Sequence, residues 1–352
     1  MKAAYVKTRN KVQIRDVEAP TPSTGEVVLQ VEGCGICGSD FLEADSWAKK
    51  WKRFGHEIAG RIIAVGTDVE DFAQGDQVAL GLSAPCGQCP HCLAGIPRHC
   101  TSLLIAEQGG FAEQLLVPDP RLLYKAPEPM DPSLLIFAEP LTVLLDAFHT
   151  VGLKKNDRLA VVGGGFIACL GILVAKSLGI TSVLSLSRSS HPGLTACIDA
   201  AKGEDFQWNK VAGVTTSAPS EFMARLGQGP GRRVILHTAP ARYILNYFDM
   251  LPFDTTVLNI GLSAKAKENI LKIDASKLIF KRIQIMSGFP VPCLYLEEAI
   301  KLLCRNRKLF SLLSPEKVIL KDLPAIISSR PKHKRKIMVV PGSSSRNRNR
   351  QQ

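Results

Sequence analysis

The chain predicts an α/β protein of two parts, a β-rich first half and a doubly wound parallel sheet behind it. Three observations predict it. A length of 352 residues with 45% hydrophobic and 22% charged residues is the balance of a globular protein with room for two cores. In the first half, strand-like stretches such as the apolar run IAGRIIAVG at 58–66 alternate with glycine-rich turns and one cysteine-rich loop at 85–100. From Asp157 the composition shifts to DRLAVVGGGFIACLGILVAKSLGI, a short apolar strand, a run of glycines and a helix-length apolar segment.

Composition excludes several classes. The start, MKAAYVKTRN, has no apolar run of the secretory kind, which leads to the expectation of a cytoplasmic protein. The most membrane-like stretch, 159–175, is interrupted by Gly163, Gly164, Gly165 and Gly171 and reads as a buried strand and helix. The net charge is +12, but eight Lys or Arg residues and no acid lie between Arg330 and the C-terminus, and removing those eight from +12 leaves +4. Residues 342–352, GSSSRNRNRQQ, have no apolar side chain and read as a disordered basic tail. No aromatic residue interleaves with those cations, which argues against a nucleic-acid partner.

Along the first half, residues 31–40 read VEGCGICGSD, a strand-like stretch ending in a glycine-rich turn that carries Cys37, Ser39 and Asp40. His56 and Glu57 follow in a second turn ahead of an apolar run. A catalytic zinc takes three protein ligands and keeps one open position, mixing sulfur, nitrogen and carboxylate oxygen. Cys37 and His56 offer the first two types, and Glu139, next to Pro140 at the start of an apolar helical segment, is the third candidate, since an ionised acid buried there needs a partner. Each residue alone reads more often as a turn or cap, and it is their joint appearance beside a four-cysteine loop that favours a metal site. Cys34 lies three residues before Cys37 and reads as a buried thiol rather than half of a redox pair.

The loop at 85–100 is PCGQCPHCLAGIPRHC, with Cys86, Cys89, Cys92 and Cys100 spaced C-x2-C-x2-C-x7-C. A reducing compartment leaves a disulfide framework without support, and this spacing lets one loop wrap four thiolates around a tetrahedral zinc, with Gly87, Pro90 and Gly95 reversing the chain. Four sulfurs close the coordination, so this zinc is expected to be structural. Cys169, Cys197, Cys293 and Cys304 sit among apolar residues and read as core side chains.

In the second half, a strand at 159–162 runs into Gly163 and Gly165, and Phe166, Ile167 and Ala168 open the helix, with Ala168 in the place of a third glycine. That strand, turn and helix make a dinucleotide fingerprint. The second strand, 182–186, ends in Ser187 and Arg188 with no acid before Asp199. A carboxylate there would hold the ribose hydroxyls of NAD, whereas arginine offers a fork to a 2′-phosphate, so NADP(H) is favoured over NAD(H), the alternative being a solvated Arg188 and a weakly selective site. RRVILHTA and TTVLNIGLSA read as later strands, and VPCLYLEEAIKLLCRNRKLF places apolar residues 296, 299, 300, 302 and 303 on one helix face.

Taken together, GCGICGSD, GHEIAGRIIAVGTDV, GDQV, the four-cysteine loop, GGFAEQLLVP and AEPLTVLLDAFHTV make the chain resemble the zinc-dependent medium-chain alcohol dehydrogenases, and their sorbitol and polyol dehydrogenase branch most, from Met1 to about Pro341. The resemblance implies a GroES-like β-rich catalytic domain at 1–145 with two zinc sites, a Rossmann domain at 146–282 and a return to the catalytic domain at 283–341. It implies a catalytic zinc on Cys37, His56 and Glu139, with Glu57 beside the metal as an alternative ligand. Ser39 becomes the hydroxyl that passes on the substrate proton, and Asp40 the carboxylate that orients the histidine, although it also reads as a turn cap. Ile260 and Gly261 match the position beside the nicotinamide. His237 to Pro240 and Asp254 to Thr256 depart from the family, which has glycine turns at both places. The activity implied is hydride transfer between a secondary alcohol and its ketone, in a homo-oligomer with two zinc ions per chain.

A small-molecule alcohol or ketone is the expected partner, with a neutral polyol, sugar or cyclitol first. Residues 41–54 hold Lys49, Lys50, Lys52 and Arg53 close to the expected metal, which keeps a phosphorylated or acidic sugar open. A catalytically silent metal-binding homologue is the remaining alternative.

Overall fold

The computed structural model describes residues 1–342 except 107–108, 189, 208–209, 212–213, 216–217, 264 and 332–334. From residue 343 onward the expected tail lies outside the described residues.

The first half is built around the nine-residue strand Val27–Gly35, whose inward side chains are almost all buried. It pairs antiparallel with Glu57–Val65, setting Gly35 opposite Glu57, and on its other side with Ile337–Val340, setting Gly35 opposite Met338. The sheet continues outward through Gln77–Leu80 and Leu123–Lys125 on one flank and Glu316–Ile319 on the other, while Gln114–Val117 also pairs with the long strand. Two positions of that strand have no room for a side chain. A Cβ on Gly33 would lie 1.8 Å from Met338 Cε, and one on Gly35 would lie 1.9 Å from Glu57 Oε2. Registry therefore gathers the turn at 36–40, the turn at 55–57 and the residues just before 337 at one end of three adjacent strands.

Residues 41–54 are not a free loop. Gly38–Leu42 is a short helix, Glu43–Trp47 a wider π-helical turn, and Lys52–Arg53 pairs with the N-terminal strand Lys2–Lys7. Thr8 N–H donates to Ala48 O and Asn10 N–H to Ala44 O, both at 2.8 Å.

The second half is a six-stranded, all-parallel sheet in the order Glu204–Gln207, Ser182–Ser187, Arg158–Val162, Arg233–His237, Thr255–Asn259, Gln284–Ser287. In chain order this reads 3-2-1-4-5-6, so the winding direction reverses between Arg158–Val162 and Arg233–His237, and the crevice beyond the carboxyl ends of those two strands is where such sheets take ligands. Val, Ile and Leu fill the central strands because both faces are covered. The sixth strand extends the sheet past residue 282, the end expected from sequence, because Ile283 and Ile285 still pack into its apolar layer.

Two passages join the halves. Ala138–Val151 is one continuous helix across the junction expected at 145–146, ended by Gly152 in the left-handed conformation. With Pro132–Leu135 before it, this is the one stretch among the described residues long and apolar enough to cross a membrane, rather than 159–175, and 83% of its apolar window is buried inside the protein. The return helix, Leu296–Arg305, buries Leu296, Ala299, Ile300 and Leu303 against it, the face that the spacing predicts. One apolar core runs through both helices and one face of the parallel sheet.

Candidate active site

The four-cysteine loop brings its sulfurs together. Cys86, Cys89, Cys92 and Cys100 offer sulfur atoms that all lie within 4.8 Å of one another. Gly87 and Gly95 take left-handed conformations at φ 76 and 74, and Pro90 opens a one-turn helix, so the chain reverses twice within the loop. Backbone N–H groups are aimed at sulfur, from Cys86 to Cys100 Sγ and from Cys89 to Cys86 Sγ, each at 3.3 Å. Such donors pull the Cys89 thiol down to about 5, while burial and neighbouring sulfurs push Cys92 up to about 12. Four crowded thiols cannot all ionise unless a cation sits among them, so the donor set fits a closed zinc site.

At the strand ends, Cys37, His56 and Glu57 form a second cluster, their ligand atoms again within 4.8 Å of one another. Cys37 caps Gly38–Leu42, held there because its N–H donates to Asp40 Oδ2 at 2.8 Å. The other oxygen of that carboxylate faces His56 Nδ1 at 3.6 Å, and Ser39 Oγ lies 3.4 Å from His56 Nε2. At 3.6 Å the Asp40 carboxylate acts on Nδ1 by charge rather than by a hydrogen bond, and the other ring nitrogen lies beside Ser39. Burial opposes protonation of His56, but Asp40, Cys37 and Glu139 outweigh it and hold the imidazole well above its usual range.

Glu139 stands in the first turn of Ala138–Val151, 6% exposed. Its carboxylate is outside the three-ligand cluster, yet burial raises it to about 7 with His56, Glu57, Lys336 and Asp40 all acting on it. Asp40 is likewise raised by burial, to about 6, against the pull of His56 and the Cys37 N–H. The structure thus groups Glu57 rather than Glu139 with Cys37 and His56. Three buried carboxyls and a thiol converge here, and Asp40 Oδ1, His56 Nδ1 and Glu57 Oε2 have no hydrogen-bond partner among the described residues. A divalent cation held by Cys37, His56 and one of the two glutamates would offset that charge, so the residues fit zinc.

Lys336 is the residue that sequence reasoning missed. Counted there among the basic C-terminal cations, it is buried with its Nζ 2.5 Å from Glu57 Oε1 and 3.0 Å from Ile36 O. Burial disfavours its charge, but Glu57 and Cys37 outweigh that and raise its pKa. The ammonium also lies 4.4 Å above the ring of Phe166, which packs on Phe137 at 5.1 Å. The metal-ligand cluster and the start of the fingerprint helix therefore share one cation. A lysine directly ahead of the apolar run IMVV is the only trace of this in the sequence.

Gly163 ends its strand at φ 133, where a Cβ would lie 2.1 Å from Thr238 Oγ1. Gly165 precedes the twelve-residue helix Phe166–Ser177 and has open space at its Cβ position. Phe166 and Ile167 are half-buried at the helix start, and Ala168 is fully buried against the sheet. Ile260 and Gly261 follow the strand Thr255–Asn259, and a Gly261 Cβ would lie 1.8 Å from Ala239 O. His191, not foreseen from sequence, caps Pro192–Ala201 and donates from Nε2 to Gly164 O at 2.9 Å, tying the glycine turn to the next helix.

Ser187 is buried and Arg188 exposed at the end of Ser182–Ser187. The fold adds an acid that a linear reading cannot see. Glu268 is held low by Ser263, Arg242, Lys265 and, more weakly, Arg188. Arg242 reaches it at 3.0 Å and Ser263 Oγ at 2.6 Å.

Of the cations at 41–54, Lys52 pairs with Glu43 at 3.0 Å, and Arg53 donates to Gly109 O and Gln114 O. Lys49 and Lys50 are exposed. Cys34, Cys169, Cys197 and Cys293 are buried, and Cys304 is half-buried beside Met130.

Residues 23–128 match the family model of the alcohol dehydrogenase GroES-like domain. An uncharacterized zinc-type alcohol dehydrogenase-like protein of Haemophilus influenzae is 30% identical over 236 residues, 63% of this chain and 68% of that protein. Galactitol 1-phosphate 5-dehydrogenase of Escherichia coli is 35% identical over 171 residues, 47% of this chain and 49% of that protein. Among solved structures, a zinc-binding dehydrogenase of Sinorhizobium meliloti bound to NADP superimposes with a TM-score of 0.78 at 24% identity, covering 97% of this chain and 99% of the other. The Escherichia coli galactitol-1-phosphate dehydrogenase gives 0.79 at 24% identity, with 97% and 100% covered. The chain belongs to the zinc-type alcohol dehydrogenase family.

Proposed function

We propose that this oxidoreductase interconverts a secondary alcohol, a polyol, sugar or cyclitol, with its ketone, using two zinc ions per chain and NADP(H). The observation that carries the reading is the buried cluster of Cys37, His56 and Glu57 joined through Lys336 to Phe166, the first residue of the fingerprint helix. A metal-ligating cluster and the start of a glycine-turn helix within reach of one side chain support the reading.

Cys37, His56 and Glu139 or Glu57 would hold the catalytic zinc, which when bound supplies a Lewis acid for the substrate oxygen. Asp40, 3.6 Å from Nδ1, would orient the imidazole by its charge. Ser39 Oγ, half-buried beside His56 Nε2, takes the hydroxyl proton and hands it toward solvent. Gly163 and Gly165 would admit the diphosphate at the helix start, with Phe166 and Ile167 lining that entry and Ile260 and Gly261 bordering the nicotinamide, which when bound would supply a hydride acceptor or donor. Cys86, Cys89, Cys92 and Cys100 would hold the structural zinc.

NADP(H) is favoured by Arg188, with Arg242 and Lys265 sharing the single carboxylate of Glu268 nearby, so the cations outnumber the acid. A neutral substrate is favoured because Lys52 and Arg53 already have partners. A phosphorylated polyol is the second reading, supported by the exposed Lys49 and Lys50 and by the galactitol 1-phosphate 5-dehydrogenase relative.

The test is a panel of neutral and phosphorylated polyols with NADP and NAD, followed by nicotinamide absorbance, on wild type and Ser39→Ala. Turnover of a polyol that falls about 100-fold in Ser39→Ala with zinc retained supports the reading. A Ser39→Ala variant with full turnover contradicts it.

A further inference from the structure

The turn after Arg233–His237 departs from glycine, and the structure shows what stands there instead. His237 is fully buried. Its Nε2 lies 3.2 Å from Pro240 O, and its Nδ1 lies 2.8 Å from the hydroxyl of Tyr247, itself fully buried. A carbonyl can only accept, so Nε2 carries the proton and donates it, and Nδ1 accepts from the Tyr247 O–H. Burial lowers His237 to about 4, which keeps the ring neutral and this tautomer in place across the physiological range.

The turn so fixed touches both strand ends that frame the crevice. Thr238 donates from N–H and from Oγ1 to Val162 O, at 2.9 and 3.1 Å, the residue before Gly163. Ile260 N–H donates to His237 O at 3.0 Å. Gly163 and Gly261 leave no room for a Cβ because Thr238 Oγ1 and Ala239 O occupy the space. A shift of this turn by a few tenths of an ångström moves the walls on both sides at once.

We propose that His237 and Tyr247 are positioning residues for the dinucleotide, a buried hydrogen-bonded pair that takes over the task of a turn glycine by fixing residues 237–240 between the Gly163 turn and Ile260–Gly261. The proposal rests on the reading of this crevice as the dinucleotide site. Neither residue touches the cofactor; both act through Thr238 and Ala239.

The experiment measures NADPH and NADH dissociation constants by nicotinamide fluorescence, zinc per chain, and KM and kcat on the full chain. Tyr247→Phe leaves Nδ1 without its donor and is expected to weaken cofactor binding and raise cofactor KM by about fivefold or more, with zinc content and alcohol KM unchanged. His237→Gln, whose amide can accept from Tyr247 and donate to Pro240 O, is expected to stay within about twofold of wild type. Where Tyr247→Phe does not fold, the double variant His237→Leu/Tyr247→Phe removes the polar pair together and is expected to fold with the same loss of cofactor affinity. Wild-type affinity in either of these phenylalanine variants overturns the proposal. A wild-type chain that binds neither nucleotide overturns the dinucleotide reading instead.

Discussion

Glu57 is fully buried, and among the described residues only one of its two carboxylate oxygens has a hydrogen-bond partner. That partner is Lys336, equally buried, so neither charge has water to fall back on. Removing one member of such a pair leaves the other uncompensated, which costs about 3–5 kcal/mol in comparable buried pairs. Lys336→Met is accordingly expected to destabilise the chain by about that amount in urea denaturation, and Lys336→Met/Glu57→Gln by clearly less than the sum of the two single changes. Additive losses would show that the two side chains do not depend on each other. His237 makes a prediction in pH. Its folded value of about 4 lies below the ordinary 6.5, so between these values the unfolded chain binds more protons than the folded one. The stability from burying a neutral ring is therefore fully present above pH about 6.5 and is lost as pH falls toward about 4, about 3 kcal/mol in all. The stability difference between wild type and His237→Gln, followed by urea titration from pH 7 to 4, should shift in that direction and by a similar amount; a difference constant with pH would contradict the assignment.

At the scale of elements, what was legible in the sequence is what a local pattern encodes. The strand, glycine turn and helix at 158–177 showed themselves because a short apolar run, glycines and a helical apolar segment follow one another directly. The four-cysteine loop was legible because all four ligands fall within fifteen residues. Lys336 was not, because nothing local marks it; it reaches Glu57 only through the antiparallel pairing of Ile337–Val340 with Val27–Gly35 and of that strand with Glu57–Val65. Glu268 was hidden for the same reason, since its pairing with Arg242 and its weaker electrostatic link to Arg188 come from separate segments. The conformational role lost with glycine at 254 was legible as a departure, and the structure has Asp254 itself in the left-handed region at φ 58, where a short polar side chain is tolerated. Within the fingerprint the glycines separate by what surrounds them. Gly165 has φ −89 and open space at its Cβ position, so Gly165→Ala should leave the unfolding midpoint nearly unchanged while lowering dinucleotide affinity about tenfold or more, since the added methyl fills the approach to the helix start. Gly163→Ala should lose stability as well, because its φ of 133 and the Thr238 hydroxyl both resist a side chain. Thermal unfolding and nucleotide titration of the two variants check the contrast.

The whole molecule is held as one piece by groups that cross between its halves. Arg98, in the four-cysteine loop, reaches Asp146 at 2.7 Å in the helix that joins the halves, and the other oxygen of Asp146 accepts from Phe289 N–H on the return path. Lys336 does the same at the candidate active site by facing Glu57 on one side and Phe166 on the other. The two expected metal sites therefore stand beside two of the contacts that cross between the halves. If both are occupied, the number of zinc ions per chain reports directly on whether the conjunction of cysteine, histidine and carboxylate at the strand ends is a working metal centre. The measurement is zinc per chain by elemental analysis of protein purified without added metal, on wild type and Cys37→Ser. Two zinc ions in wild type and one in Cys37→Ser is the result this account predicts. One in both, held by the four-cysteine loop alone, would contradict it and leave the Cys37 cluster without the metal its chemistry requires.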